Sequence, residues 1–255
     1  MNTVVPLIVI ALFGALIGSF LNVCIYRLPI GRSIVFPASA CPNCARRLSW
    51  YENIPVFSYL ALGGRCRSCR TGISIRYPIV EATTAALFAA AYWYYGPSLL
   101  LVSRLVFICL LIVLFAIDLE LQLLPNVITL PGIVSGLAFS LFTEPGWQSA
   151  LIGLLVGGGV LYAVAEIYFR VRHEEGLGMG DVKMLAMVGT FLGWQLTLVT
   201  LMMASFAGSI VGVGLIALDR GNMKRALPFG TFLAMGAVLA ATIGPGVLQW
   251  YLRFW

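Results

Sequence analysis

Seven long apolar stretches divide the chain, at residues 4–26, 77–95, 98–117, 127–142, 147–169, 196–218 and 229–251. Most approach the roughly 20 residues that an α-helix needs to cross a hydrocarbon core. An eighth apolar stretch, 181–194, has only 14 residues. It reads as a short or tilted span, or as a re-entrant helix covered by its neighbours. Glycine and proline punctuate the gaps, as in Tyr95-Gly96-Pro97 and Glu144-Pro145-Gly146. The one sizeable polar segment is 27–76. This pattern predicts an all-α polytopic membrane protein of about eight transmembrane helices, with a first helix (1–26), a polar insertion (27–76) and a transmembrane core (77–255). The first stretch has neither a basic n-region nor a small-residue cleavage site, so it is expected to be a retained span. No internal repeat is visible.

Composition removes the alternatives. Of 255 residues, 60% are hydrophobic and 10% charged, against about 25% charged in soluble domains. The net charge of +6 raises the question of nucleic acid, which the positions of the charges answer. Eight arginines lie in 27–76, three basic residues in 170–183 and three in 219–225, so only Arg104 and Arg253 of the sixteen lie elsewhere. With eight crossings, all three basic segments fall on one side of the bilayer. The positive-inside rule makes that side cytosolic and leaves both termini outside the cytosol. The basic excess is a topology signal, and no nucleic-acid partner is expected.

The polar insertion carries Cys41-Pro42-Asn43-Cys44 and Cys66-Arg67-Ser68-Cys69, a C-x2-C-x21-C-x2-C pattern. Paired thiolates on two turns suit a tetrahedral Zn²⁺, and the spacing suits a zinc-ribbon-like module. A cytosolic location disfavours disulfides, while iron–sulfur or redox use and unligated thiols stay open as alternatives. A segment this small has little core, so a metal would contribute much of its folding energy. Cys24 and Cys109 lie inside spans and read as small hydrophobes.

Charged residues at span ends are functional candidates because they are costly there. Asp118 ends the third stretch in Ala116-Ile117-Asp118-Leu119-Glu120, and Asp181 opens the short one after Gly176-Leu177-Gly178-Met179-Gly180. The topology puts both at one depth on the cytosolic side, as a carboxylate dyad requires. Such a pair, sharing a proton, activates water with the ionised member while the protonated one polarises a carbonyl. Singly, Asp181 could be an N-cap and Asp118 an interfacial charge. Glu81, Glu120 and Glu166 read as interfacial or structural, and His173 as a solvated loop residue. A transporter with proton-binding aspartates, or a zinc-module scaffold without chemistry, would fit less well. Transporter sites lie at mid-membrane depth, and a scaffold gives Asp181 no purpose.

Further motifs accompany these aspartates. Gly18-Ser19-Phe20-Leu21-Asn22-Val23, Arg27-Leu28-Pro29, Glu52-Asn53-Ile54-Pro55, Ile75-Arg76-Tyr77-Pro78, Asp118 with Leu124-Pro125, Gly178-Met179-Gly180-Asp181-Val182-Lys183 and Pro228-Phe229-Gly230 occur in this order. The ordered set resembles the type IV prepilin leader peptidase/N-methyltransferase family, within the Gly-x-Gly-Asp intramembrane aspartic proteases. One departure is Asn126, where many members carry a third aspartate. The resemblance implies an aspartic endopeptidase of the bacterial inner membrane, with Asp118 and Asp181 catalytic. It would remove the basic leader of prepilins or pseudopilins at the cytosolic face. It also implies S-adenosylmethionine-dependent methylation of the new N-terminus, for which Glu52, Asn53 and Gly64 are the candidate positions.

Overall fold

The computed structural model describes residues 4–174, 176–218 and 227–253. The regular elements among the described residues are helices, with two isolated β-bridges and no β-strand. Residues 219–225, the third basic segment, lie outside them. The chain forms two compact units, Met1–Val113 and Leu114–Trp255.

In the first unit, α1 (Val4–Arg27) packs on α3 (Arg76–Tyr95), and the polar insertion between them holds a 3-10 helix, Trp50–Asn53, and the short α2 (Phe57–Ala61). The close approach of α1 to α3 depends on Gly14 and Gly18, one helical turn apart. A Cβ on Gly14 would come 2.9 Å from Phe88 Cβ, and one on Gly18 would come 2.8 Å from the Glu81 backbone. Small residues spaced in this way are how helices pack tightly in lipid, where burying apolar surface brings no gain. Helix α4 (Leu99–Leu121) begins in this unit and ends in the second.

The second unit contains α5 (Asn126–Ser140), α6 (Trp147–Arg172), α7 (Met179–Leu218), α8 (Phe229–Thr242) and α9 (Gly244–Leu252). At 1.5 Å per residue, 40 helical residues would extend about 60 Å, about twice a hydrocarbon core. Helix α7 breaks instead at Gly193, where φ is 78° and ψ is 169°. Only glycine adopts this conformation freely, and a Cβ there would also come 2.9 Å from Pro145 Cβ. The first limb of α7 coincides with the short apolar stretch 181–194. It is the centre of the unit, with Met184, Leu185, Met187 and Val188 fully buried. A helix that is apolar all round belongs in such a place. Gly153 of α6 and Gly189 of α7 face each other backbone to backbone, and Gly136 of α5 faces Thr190 and Phe191. Thr190, Thr197 and Thr200 are buried and donate their hydroxyls to carbonyls of their own helix at 2.7–2.8 Å.

All eight apolar stretches are therefore helical. Val4–Arg27, Leu99–Leu121, Trp147–Arg172 and Met179–Leu215 are each long and apolar enough to cross a membrane. The stretch 229–251 is not one rod. It consists of α8 and α9, bent by 64°, because Pro245 has no N–H to continue the ladder and starts a new helix. Helix α5, with 15 residues, is about 22 Å long and too short to cross unaided. Large apolar side chains such as Leu12, Leu16, Leu155 and Val164 are exposed, a surface suited to lipid. The protein is a multi-pass membrane protein.

Candidate active site and metal centre

The four cysteines of the insertion converge. Cys41 N–H donates to Arg46 O at 2.9 Å, and Cys41 O accepts from Ala45 N–H at 2.9 Å. Cys66 N–H donates to Thr71 O at 2.9 Å, and Cys66 O accepts from Arg70 N–H at 3.0 Å. Ala45 (φ 55°) and Arg70 (φ 58°) occupy the same left-handed position after the second cysteine, and one bridge closes each turn. The two halves are thus structural repeats, hidden in the sequence because little besides the cysteines is shared. The four sulfurs lie within 4.8 Å of one another, with Cys41 Sγ 3.7 Å from Cys69 Sγ. A tetrahedral ion with metal–sulfur bonds of about 2.3 Å places its sulfurs about 3.8 Å apart. All four are free thiols, and the cluster could hold one metal ion. Thr71 Oγ1 accepts from Asn43 Nδ2 at 2.8 Å and lies 3.4 Å from Cys69 Sγ, bracing one sulfur from the opposite turn. The Thr71 hydroxyl and amide hold the Cys69 thiol down at about 5. Cys44 receives a backbone N–H from Arg46, yet burial and the neighbouring sulfurs push it up to about 11. Four sulfurs this close ionise together only with a cation between them.

The two aspartates lie in the second unit, each beside a helix N-terminus. Asp118, in the last turn of α4, is 4% exposed. Its Oδ2 accepts from the Thr231 backbone N–H at 2.6 Å and from the Thr231 hydroxyl at 2.9 Å. Thr231 lies in the first turn of α8, whose N-cap, Pro228, offers no side-chain cap. Asp118 supplies the missing acceptor from a distant part of the chain. Asp181 lies in the first turn of α7, its N–H donating to Gly178 O at 3.1 Å. Leu124 joins the two loops. A Cβ on Gly180 would come 2.8 Å from Leu124 Cβ, and one on Gly230 would come 2.9 Å from Leu124 Cδ1 and 3.1 Å from the Asp118 carboxyl. The glycines therefore let Asp181 and α8 close around Leu124, and Gly180 faces this leucine. Asp181 Oδ1 is buried and accepts no hydrogen bond among the described residues, leaving an acceptor ready for a water or a shared proton. Lys183 Nζ donates to Asn126 Oδ1 at 2.8 Å, tying the start of α7 to the start of α5.

The candidates for methyl transfer are in the insertion. Glu52 is buried; Oε2 accepts from Ser49 N–H at 2.8 Å, and Oε1 pairs with Arg46. The Ser49 amide and the Arg46 guanidinium hold its carboxyl below the usual carboxylate range. Asn53 is exposed at the end of the 3-10 helix. Gly64 has φ +66°, and a Cβ there would come 2.9 Å from Tyr59 Oη.

Comparison with protein families matches residues 12–95 to the bacterial peptidase A24 N-terminal domain and residues 105–213 to the type IV leader peptidase family. A prepilin leader peptidase/N-methyltransferase of Aeromonas hydrophila is 37% identical over 268 residues, covering 94% of this chain and 92% of that protein. One of Pseudomonas putida is 38% identical over 256 residues, covering 91% and 88%. The chain belongs to the type IV leader peptidase family. A further member, from Myxococcus xanthus, is 44% identical over 212 residues, 82% of this chain and 63% of that one. No solved structure matches the chain. Within this leader peptidase, three features escape sequence reasoning: the Thr231 contact with Asp118, the place of Leu124 between the two loops, and the Lys183–Asn126 bond.

Proposed function

We propose that this protein is a membrane-embedded aspartic endopeptidase that removes the basic leader of prepilins or pseudopilins at the cytosolic face of the bacterial inner membrane, and then methylates the new N-terminus. The observation that carries the reading is the placement of Asp118 and Asp181 at two helix N-termini joined through Leu124. One carboxylate takes a proton from water as its oxygen attacks the scissile carbonyl. The other gives its proton to the carbonyl oxygen. Collapse breaks the C–N bond, and the leaving amine takes a proton from the pair. That amine is the methyl acceptor, and S-adenosylmethionine supplies the methyl group when bound. Glu52, Asn53 and Gly64 mark the region where this transfer occurs. Zinc, one ion per chain on Cys41, Cys44, Cys66 and Cys69, has a structural role. The test is purified protein in detergent with a prepilin, scored by mass for leader loss and for the gain of one methyl group. A prepilin left intact would reject the peptidase, and cleavage without mass gain would reject only the transferase.

The sidedness rests on charge. Eight crossings, with the first helix (1–26) and the core (77–255) flanking a cytosolic insertion (27–76), bring the three basic segments to one side and both termini to the other. Single cysteines near Glu174 are expected to react with impermeant thiol reagents from the cytosol, and those near Pro145 from outside. Labelling of both from one side would overturn the topology.

A further inference from the structure

We propose that Glu81 is a positioning residue for methyl transfer: from α3 its carboxylate holds the start of α2, and with it the segment that carries Asn53 and Gly64. The inference rests on the reading that this segment hosts the transfer. Glu81 is 7% exposed, and a carboxylate is buried at such a cost only when it is hydrogen-bonded. Its Oε2 accepts from the Val56 backbone N–H at 2.7 Å, and the Ser19 hydroxyl of α1 donates to the same carboxylate. Gly18 opens the room beside it. One turn away, Asn22 Nδ2 donates to Gly18 O at 3.3 Å and Tyr77 O at 3.1 Å, locking α1 to α3 under the carboxylate.

The residue held in this way is strained. Val56 has φ 61° and ψ −49°, a region that a β-branched side chain rarely enters and that persists only where the surroundings enforce it. Val56 is the N-cap of α2 and has no side-chain cap, so the Glu81 bond fixes where α2 begins. The other end of α2 fixes Gly64, whose N–H donates to Tyr59 O at 2.8 Å and whose carbonyl accepts from Ile73 N–H at 2.7 Å. On the N-terminal side, Ile54 O accepts from Ser58 N–H at 3.1 Å, and Glu52 is pinned to Ser49 and Arg46 beside the first cysteine turn. The exposed Asn53 therefore sits between a tie to the cysteine turn and a tie to the membrane helices. If the Glu81 tie is lost, Val56 relaxes, and Asn53 and Gly64 lose their mutual placement while the four sulfurs keep theirs.

The test compares Glu81→Leu and Glu81→Gln in the full-length protein, reading zinc content, prepilin cleavage, methyl transfer to a pre-cleaved pilin, and amide exchange over 54–64. Gln keeps an oxygen able to accept from Val56, so Glu81→Gln is expected to retain most methyl transfer. Glu81→Leu should lose about tenfold or more in methyl transfer, because small misplacements of reacting groups are costly. Its exchange over 54–64 should quicken about tenfold or more, with zinc and cleavage retained. Should Glu81→Leu fail to fold, Glu81→Asp, whose carboxylate falls one methylene short, carries the same expectations. Unchanged exchange and methyl transfer in the Leu or Asp variant would overturn the proposal. So would a Gln variant that loses methyl transfer with wild-type exchange, since the charge itself would then be needed. If the wild-type protein transfers no methyl at all, the functional reading falls, and the exchange result still decides whether Glu81 holds the segment.

Discussion

Asp118→Asn and Asp181→Asn are each expected to lower prepilin cleavage by on the order of a thousandfold, the scale of a lost general acid or base. The proteins should otherwise stay intact. Asn at 118 still offers an oxygen to the Thr231 amide and hydroxyl, so the α8 N-terminus keeps its acceptor. What disappears is the exchangeable proton, without which neither water activation nor carbonyl polarisation works. Thr231→Val removes one of the two hydrogen bonds and leaves the backbone donor, so a fall of about tenfold is expected. Glu120→Gln and Asn126→Asp should retain most activity. Glu120 is exposed, and an aspartate at 126 would still accept from Lys183. Rates on one prepilin, with folding checked by thermal unfolding in detergent, decide the matter. A fully active Asp181→Asn protein would end the dyad mechanism.

The helices were legible because a membrane helix declares itself by length and apolarity, and all eight apolar stretches are helical. Even the unusual short stretch 181–194 was visible by its apolarity, although the break at Gly193 that ends it carries no hydropathy signal. The bend between α8 and α9 was not. Residues 229–251 are apolar on both sides of it, and hydropathy is indifferent to direction. The same limit applies to the site. Asp118 and Asp181 stand out as charges in apolar surroundings, but Thr231 donates to Asp118 across 113 positions of sequence, and a threonine beginning a helix carries no mark of that contact. Glu81 reads as an interfacial or structural charge from its place near a helix start. Its burial comes from Gly18 on another helix, a packing relation that no local pattern contains.

Removal of the metal should have an effect as large as loss of the dyad, in a different place. Purified protein is expected to hold about one zinc per chain, as four thiolates at these separations bind one tetrahedral ion. Double substitution of Cys41 and Cys44 by Ser should abolish it. The insertion cannot compensate, because Cys41 and Cys66 are the only apolar side chains buried between residues 28 and 75 among those described. A segment without a hydrophobic core takes its folding energy from its metal, about 10–16 kcal/mol for zinc-finger peptides. Loss of the ion should therefore release residues 38–72 to fast amide exchange and abolish methyl transfer. Cleavage should suffer less, since Asp118 and Asp181 belong to the other compact unit. Acid should mimic the substitution: the ligands bind as thiolates, so zinc retention falls as pH falls. Metal analysis of the native protein decides first. Its cysteines should be unreactive while zinc is bound and should react when a chelator removes it. Intact disulfides or a metal-free insertion that resists exchange would reject the zinc centre, and disulfides would also place the insertion on the oxidising side of the membrane, away from any cytosolic leader.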